Sequence, residues 1–199
     1  MKKIYKAISI LLHPIFLPMF GSWLYLTHLP LPLSKMQIYL IFFLVVGCTF
    51  LLPLLMIFFL KFTGRIKSIE VPEINDRKLP VILMFVNYLF LALMISRVWQ
   101  IRELTILVYA IALGLIAVFI FLYFKIKASL HLLGMTSLLG FAVVYGVAYQ
   151  YSIFVIALLF MMTGVLATVR LKLKAHNFKE IIIGSILGFL LPILTSLVL

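Results

Sequence analysis

The sequence predicts an all-α protein, a bundle of six to seven membrane-spanning helices folded as a single integral membrane domain over residues 1–199. Three observations predict it. Of the 199 residues, 66% are hydrophobic and only 11% charged, with a mean hydropathy of +1.29. That leaves too few polar residues to clothe a soluble domain. Apolar runs of about 18 residues or more, the length that a bilayer core of roughly 30 Å demands, follow one another along the chain. Between them lie short polar breaks, which make sequential helices antiparallel neighbours.

The first span, 7–26, follows Lys2 and Lys3 and is interrupted by Pro14 and Pro18. Its charged start resembles a signal peptide, but no small-x-small cleavage site follows the broken run, so it reads as a retained helix. His13, just before Pro14, reads as part of a kink with a satisfied imidazole rather than as a ligand. The second span, 36–60, holds the only cysteine, Cys48, so no internal disulfide is possible. The remaining spans are 79–96, 104–124, 128–149, 152–169 and 181–199. The one extended polar stretch is 65–77. Gly184 and Gly188 form a small-xxx-small pair that lets the last helix pack closely on another.

Threading these spans through a membrane gives every loop a side. Lys35, Arg97 and Arg102 fall on one side, here side B, and all the other lysines and arginines on side A, with the N-terminus. Trp23, Trp99, Tyr149 and Tyr151 gather on side B as an interfacial belt. The positive-inside rule then makes side A cytoplasmic. The net charge of +12 is spread over short loops. That distribution points to anionic headgroups, a phosphorylated substrate or simply the cytoplasm, and not to nucleic acid.

The chemistry-bearing residues also collect on side A. Glu70, Glu73, Asp76 and Glu180 lie there, as do His131 and His176, while Glu103 and His28 lie on side B. Three segments stand out: Asp76-Arg77-Lys78-Leu79-Pro80, Lys127-Ala128-Ser129-Leu130-His131, and Arg170-x5-His176-x3-Glu180. Whole spans separate them, so sequence proximity does not force their common side. Four residues apart, His176 and Glu180 share a helical face. A carboxylate bonded to one ring nitrogen fixes the tautomer and leaves the other nitrogen nucleophilic. Arg77 and Arg170 offer planar, permanently charged forks to phosphate oxygens, and His131 can supply a proton to a leaving alkoxide. No Cys or His pair has metal-ligand spacing, so neither a metal nor another cofactor is expected.

In order and spacing these segments resemble the type 2 phosphatidic acid phosphatase superfamily of membrane lipid phosphatases. Its pattern is Lys-x6-Arg-Pro, then Pro-Ser-Gly-His, then Ser-Arg-x5-His-x3-Asp. The resemblance spans about residues 76–188, within a core of about 60–199, and is nearest the divergent bacterial members whose middle motif reads like Lys-x-Ser-x-His. It implies a bacterial inner-membrane enzyme that hydrolyses a lipid phosphate without a metal. It further implies His176 as nucleophile, Glu180 as its orienter and His131 as general acid. Arg77 and Arg170 would hold phosphate, helped by Lys127, Ser129 and Lys78. The sequence departs from the pattern at Glu70 (for lysine), at Ala128 and Leu130 (for proline and glycine), at Val169 (for serine) and at Glu180 (for aspartate); Pro80 is not adjacent to Arg77. Two other classes fit the same sequence: a small transporter or channel subunit with proline-broken helices, and a lipid-binding relative without activity.

Overall fold

The computed structural model describes residues 2–28, 32–68, 71, 73–148 and 153–199, which are helices joined by short turns, with no strand among them. In chain order the helices are α1 (Lys2–Leu11), α2 (Leu17–His28), α3 (Lys35–Val46), α4 (Leu52–Phe62), α5 (Ile74–Ile95), α6 (Arg102–Tyr123), α7 (Leu130–Ala148), α8 (Ile153–Lys172) and α9 (Phe178–Val198). Five stretches are long and apolar enough to cross a membrane: Lys35–Phe62, Ile74–Ile95, Trp99–Tyr123, Ile153–Lys172 and Phe178–Val198. The apolar α7 is shorter by the same measure. Large apolar side chains face outward on these helices, among them Phe59, Phe62, Phe154 and Phe160. Such a surface, on helices of spanning length, suits a membrane protein.

The expected first span is two helices rather than one kinked one. Pro14 supplies no amide, and its ring disfavours helix at His13; α1 ends at Leu11 and α2 begins at Leu17. At roughly 15 and 18 Å, neither half alone matches the bilayer core. The α2 helix runs antiparallel to α3, with Phe16 stacked on Phe50 and Trp23 edge-on to Phe42. Tyr25 near its far end donates to Glu103 Oε2 at 2.7 Å. Its start is therefore on side A and its end on side B.

Between α3 and α4 the helix widens into a π turn, Gly47–Leu51. Pro53 lacks the amide that would bond Cys48 in that wider register. The Asn87 side chain on α5 donates to the Cys48 carbonyl instead, at 2.6 Å. Buried backbone groups in lipid need such substitutes.

Chain reversals on side A are built alike. At 60–65, 121–126 and 170–175 a 6→1 backbone bond closes the helix end: Arg65 N–H to Leu60, Ile126 N–H to Phe121, and Ala175 N–H to Arg170. The left-handed residue each turn needs is Gly64 (φ 71°), Lys125 (φ 58°) and Lys174 (φ 54°).

The core is the pairing of α5 with α6 and of α7 with α9. The second pair is nearly backbone on backbone: a Cβ on Gly184 would lie 2.5 Å from the Ser129 carbonyl oxygen, and one on Gly140 would lie 2.5 Å from that of Phe189. Gly188 packs against Leu133 and Thr136 in the same way. The small-residue pair expected from the sequence thus marks a real close contact. Glu70, Tyr149 and Tyr151 lie outside the described residues, while Trp23 and Trp99 are exposed.

Candidate functional site

A cavity of about 220 Å³ lies inside the bundle. Arg77, His131, Arg170 and His176 all line it, contributed respectively by α5, α7, α8 and the turn before α9. Its other wall is apolar, with Pro53, Leu54, Ile57, Met84, Ile111 and Leu115. Both Arg77 and Tyr88 of α5 line it. At 1.5 Å per residue the cavity therefore reaches about 16 Å along that helix, from charged groups into hydrocarbon. Thr49, in the π turn, lies on its wall with a buried hydroxyl that bonds to no described residue.

Each charged group has a definite support. His176 follows directly on the 170–175 turn, which reverses the chain within one helix end and brings Arg170 and His176 to the same cavity. Asn177 then caps α9, its side-chain oxygen accepting from the Glu180 amide at 3.0 Å. Its side-chain nitrogen donates to Glu180 Oε1 at 3.2 Å. Glu180 Oε2 is 2.6 Å from His176 Nδ1. A carboxylate acceptor there places the proton on Nδ1 and leaves the lone pair on Nε2.

His176 is buried, and burial pushes its imidazole well below the ordinary histidine range. The Glu180 hydrogen bond opposes that push, while Arg170 and Arg77 reinforce it. The ring is therefore neutral at pH 7, the form with a nucleophilic nitrogen. On α5, Arg77 Nε donates to the Val71 carbonyl at 2.7 Å. Val71 holds φ at 43°, unfavourable for a β-branched residue. It is buried with Leu60 and Ile66. Arg170 Nη1 donates to Ser9 Oγ on α1 at 2.9 Å. His131 Nε2 is buried and bonds to no described residue.

Of the other residues singled out in the sequence, Ser129 is fully buried beside the site. Its amide donates to the Glu180 carbonyl at 3.0 Å, tying the start of α7 to the start of α9, and its hydroxyl bonds to no described residue. Lys127 is not on the cavity wall. Neither is Lys78, whose ammonium lies 4.5 Å above the Tyr123 ring. Lys67 pairs with Glu73 at the surface, at 2.9 Å.

Sequence reasoning missed two participants. Asn177 carried a signal in its place as an N-cap before an apolar run. His13, assigned to a kink, does sit at the helix break but also lines the cavity, its ring edge-on to His131 at 4.8 Å between centroids. No protein-family model, curated protein or solved structure matches the chain.

Proposed function

We propose that the protein is a membrane lipid phosphatase that cleaves a phosphate monoester or diphosphate through a phosphohistidine. The observation that carries this reading is the 2.6 Å bond from Glu180 to His176 Nδ1, in a cavity that also holds two arginines and a second histidine. Arg77 and Arg170 bind the phosphoryl oxygens and spread the charge that would otherwise repel a nucleophile. His176 Nε2 forms the bond to phosphorus as the P–O bond to the lipid breaks. The electron pair of that bond goes to the leaving oxygen, which takes a proton from protonated His131. Water then attacks phosphorus as the P–N bond breaks, giving a proton back to the neutral His131, regenerating His176 and releasing inorganic phosphate. The apolar wall of the cavity accommodates the substrate's hydrocarbon next to the reacting group.

In this reading the Lys35–Phe62 stretch and α5 to α9 cross the membrane six times, and the short α2 runs beside them from side A towards side B. By the positive-inside rule the basic loops favour a cytoplasmic side A, and the bacterial inner membrane is what the resemblance implies. The test is phosphate release by purified full-length protein in detergent from polyprenyl, phosphatidate and phosphatidylglycerol phosphates. Release by the wild type and none by His176→Ala is the expected result; equal release by both overturns the mechanism.

The second reading is a protein that binds lipid phosphates without hydrolysing them. It is favoured by Lys78 and Lys127, which stand away from the cavity that relatives of such enzymes would have them serve. A transporter or channel subunit is less well supported, because charged side chains are nearly absent from the middles of the spans.

A further inference from the structure

The broken N-terminal helix lies outside every motif on which the phosphatase reading rests, yet it lines the cavity. Pro14 and Pro18 line that cavity along with His13. The approach is specific to the break. A Cβ added to Gly134 of α7 would lie 3.3 Å from Leu17 and 3.4 Å from Pro14, so a glycine gives the turn room to lie against α7. Gly134 is three residues beyond His131, on the same face of the helix. The contact thereby seats the His13 ring 4.8 Å from the His131 ring, at 83° to it.

The chain also sets which nitrogen of His13 is available. Nδ1 accepts from the Ile15 amide at 3.3 Å, a local bond made by the turn itself. In the neutral ring the proton is then on Nε2. The hydrogen bond that His13 makes within the turn uses Nδ1, and the ring lines a cavity holding two guanidinium groups. A ring donor on the wall of the space that Arg77 and Arg170 also line suits an anion.

We propose that His13 is a further phosphate-binding residue, its Nε2–H donating to a phosphoryl oxygen between Arg170 and His131. The N-terminal helix pair is thus part of the site, in addition to its place in the membrane. The inference rests on the phosphatase reading for the identity of the ligand, but not for the presence of an anion site.

Two measurements on the full-length protein separate the two ideas. The first is the rise in melting temperature on adding inorganic phosphate or orthovanadate, which needs no turnover. The second is kcat/KM for phosphate release from phosphatidate. His13→Ala should abolish most of the anion-induced rise and lower kcat/KM by about 10–100-fold, the range for one hydrogen bond to a charged group. His13→Gln, which keeps an amide N–H near the Nε2 position, should restore most of both. Wild-type-like anion stabilisation in His13→Ala overturns the inference. So does an equal loss in both variants with a lowered melting temperature before anion is added, which makes His13 a structural kink. Anion stabilisation that depends on His13 but without phosphate release by the wild type keeps the inference and removes the phosphatase reading. No anion stabilisation and no release by the wild type overturn both.

Discussion

Ser9 Oγ accepts a hydrogen bond from Arg170 Nη1 at 2.9 Å, joining the first helix to the last turn of α8 across 161 residues of sequence. Ser9 is buried on α1. Its hydroxyl therefore takes up one of the guanidinium donors that water would satisfy outside. Ser9→Ala should lower stability by about 1–3 kcal/mol, the cost of leaving a buried donor unmet. It should also weaken phosphate binding less than Arg170→Ala does, because the charge remains. Melting curves with and without inorganic phosphate check both expectations.

The His176–Glu180 pair makes a prediction about acid. Burial and two arginines lower the folded-state pKa of His176 below its ordinary value of 6.5. Between the folded value and 6.5 the unfolded chain binds the extra proton, so stability rises with pH through that window and falls on acidification. Turnover should hold well below pH 6.5 and decline only as the pH approaches about 4, where the folded imidazole charges. Glu180→Gln removes the interactions that hold the pKa up, so the acid limb should move to lower pH. The maximal rate should drop by roughly 10²–10⁴-fold, as when other orienting carboxylates are lost. A pH–rate profile of the two proteins reads both effects.

Much of this site could be read in the sequence, for identifiable reasons. Arg77, His131, Arg170 and His176 meet because antiparallel spans return every second loop to one face, and parity of spans is a property of hydropathy alone. His176 and Glu180 meet because four residues is one helical turn. Contacts that depend on tertiary packing were not legible. A histidine before a proline in an apolar run reads as a kink, and only the place of Gly134 on α7 decides that this break faces a cavity. Lys78 and Lys127 share motifs with residues that line the cavity, but sequence adjacency does not set direction on a helix, and Lys78 turns to Tyr123. Pro14 and Pro18 signalled an interruption without saying that it would split the first span into two short helices.

The close contact of α9 with α7 makes a prediction about Gly184. An added methyl there would meet the Ser129 backbone oxygen at 2.5 Å, and backbone cannot swing aside as a side chain can. Gly184→Ala should destabilise the protein by roughly 1–3 kcal/mol. Because Ser129 N–H also holds the Glu180 carbonyl, the same change should disturb the His176 orienter. Gly164, with nothing within 4 Å of its added Cβ, is the control that should tolerate alanine. Thermal melts of the two variants, with phosphate release alongside, test the difference.

The proposed cytoplasmic position of side A can be checked at Lys67, which is exposed between α4 and α5. With Cys48 replaced by serine, Lys67→Cys should resist a membrane-impermeant thiol reagent in intact cells and react after the cells are opened. Labelling in intact cells would place the site on the outer face.

His131 should separate bond formation to phosphorus from departure of the lipid. Its Nε2 is buried in the cavity wall and bonds to no described residue, so that nitrogen is open to a leaving oxygen in the cavity. A lipid alkoxide is a poor leaving group and needs that proton in the transition state, whereas a p-nitrophenolate leaves without it. His131→Ala should therefore lose about 10²–10⁴-fold in rate on phosphatidate, the range for a general acid. It should lose far less on a p-nitrophenyl phosphate ester and still form the phosphohistidine from it. His176→Ala should lose both substrates alike, because no leaving group replaces a missing nucleophile. Rates for the two variants on the two substrates give four numbers whose pattern assigns the roles. Equal losses on both substrates in His131→Ala would make His131 a binding residue and leave the proton to another group.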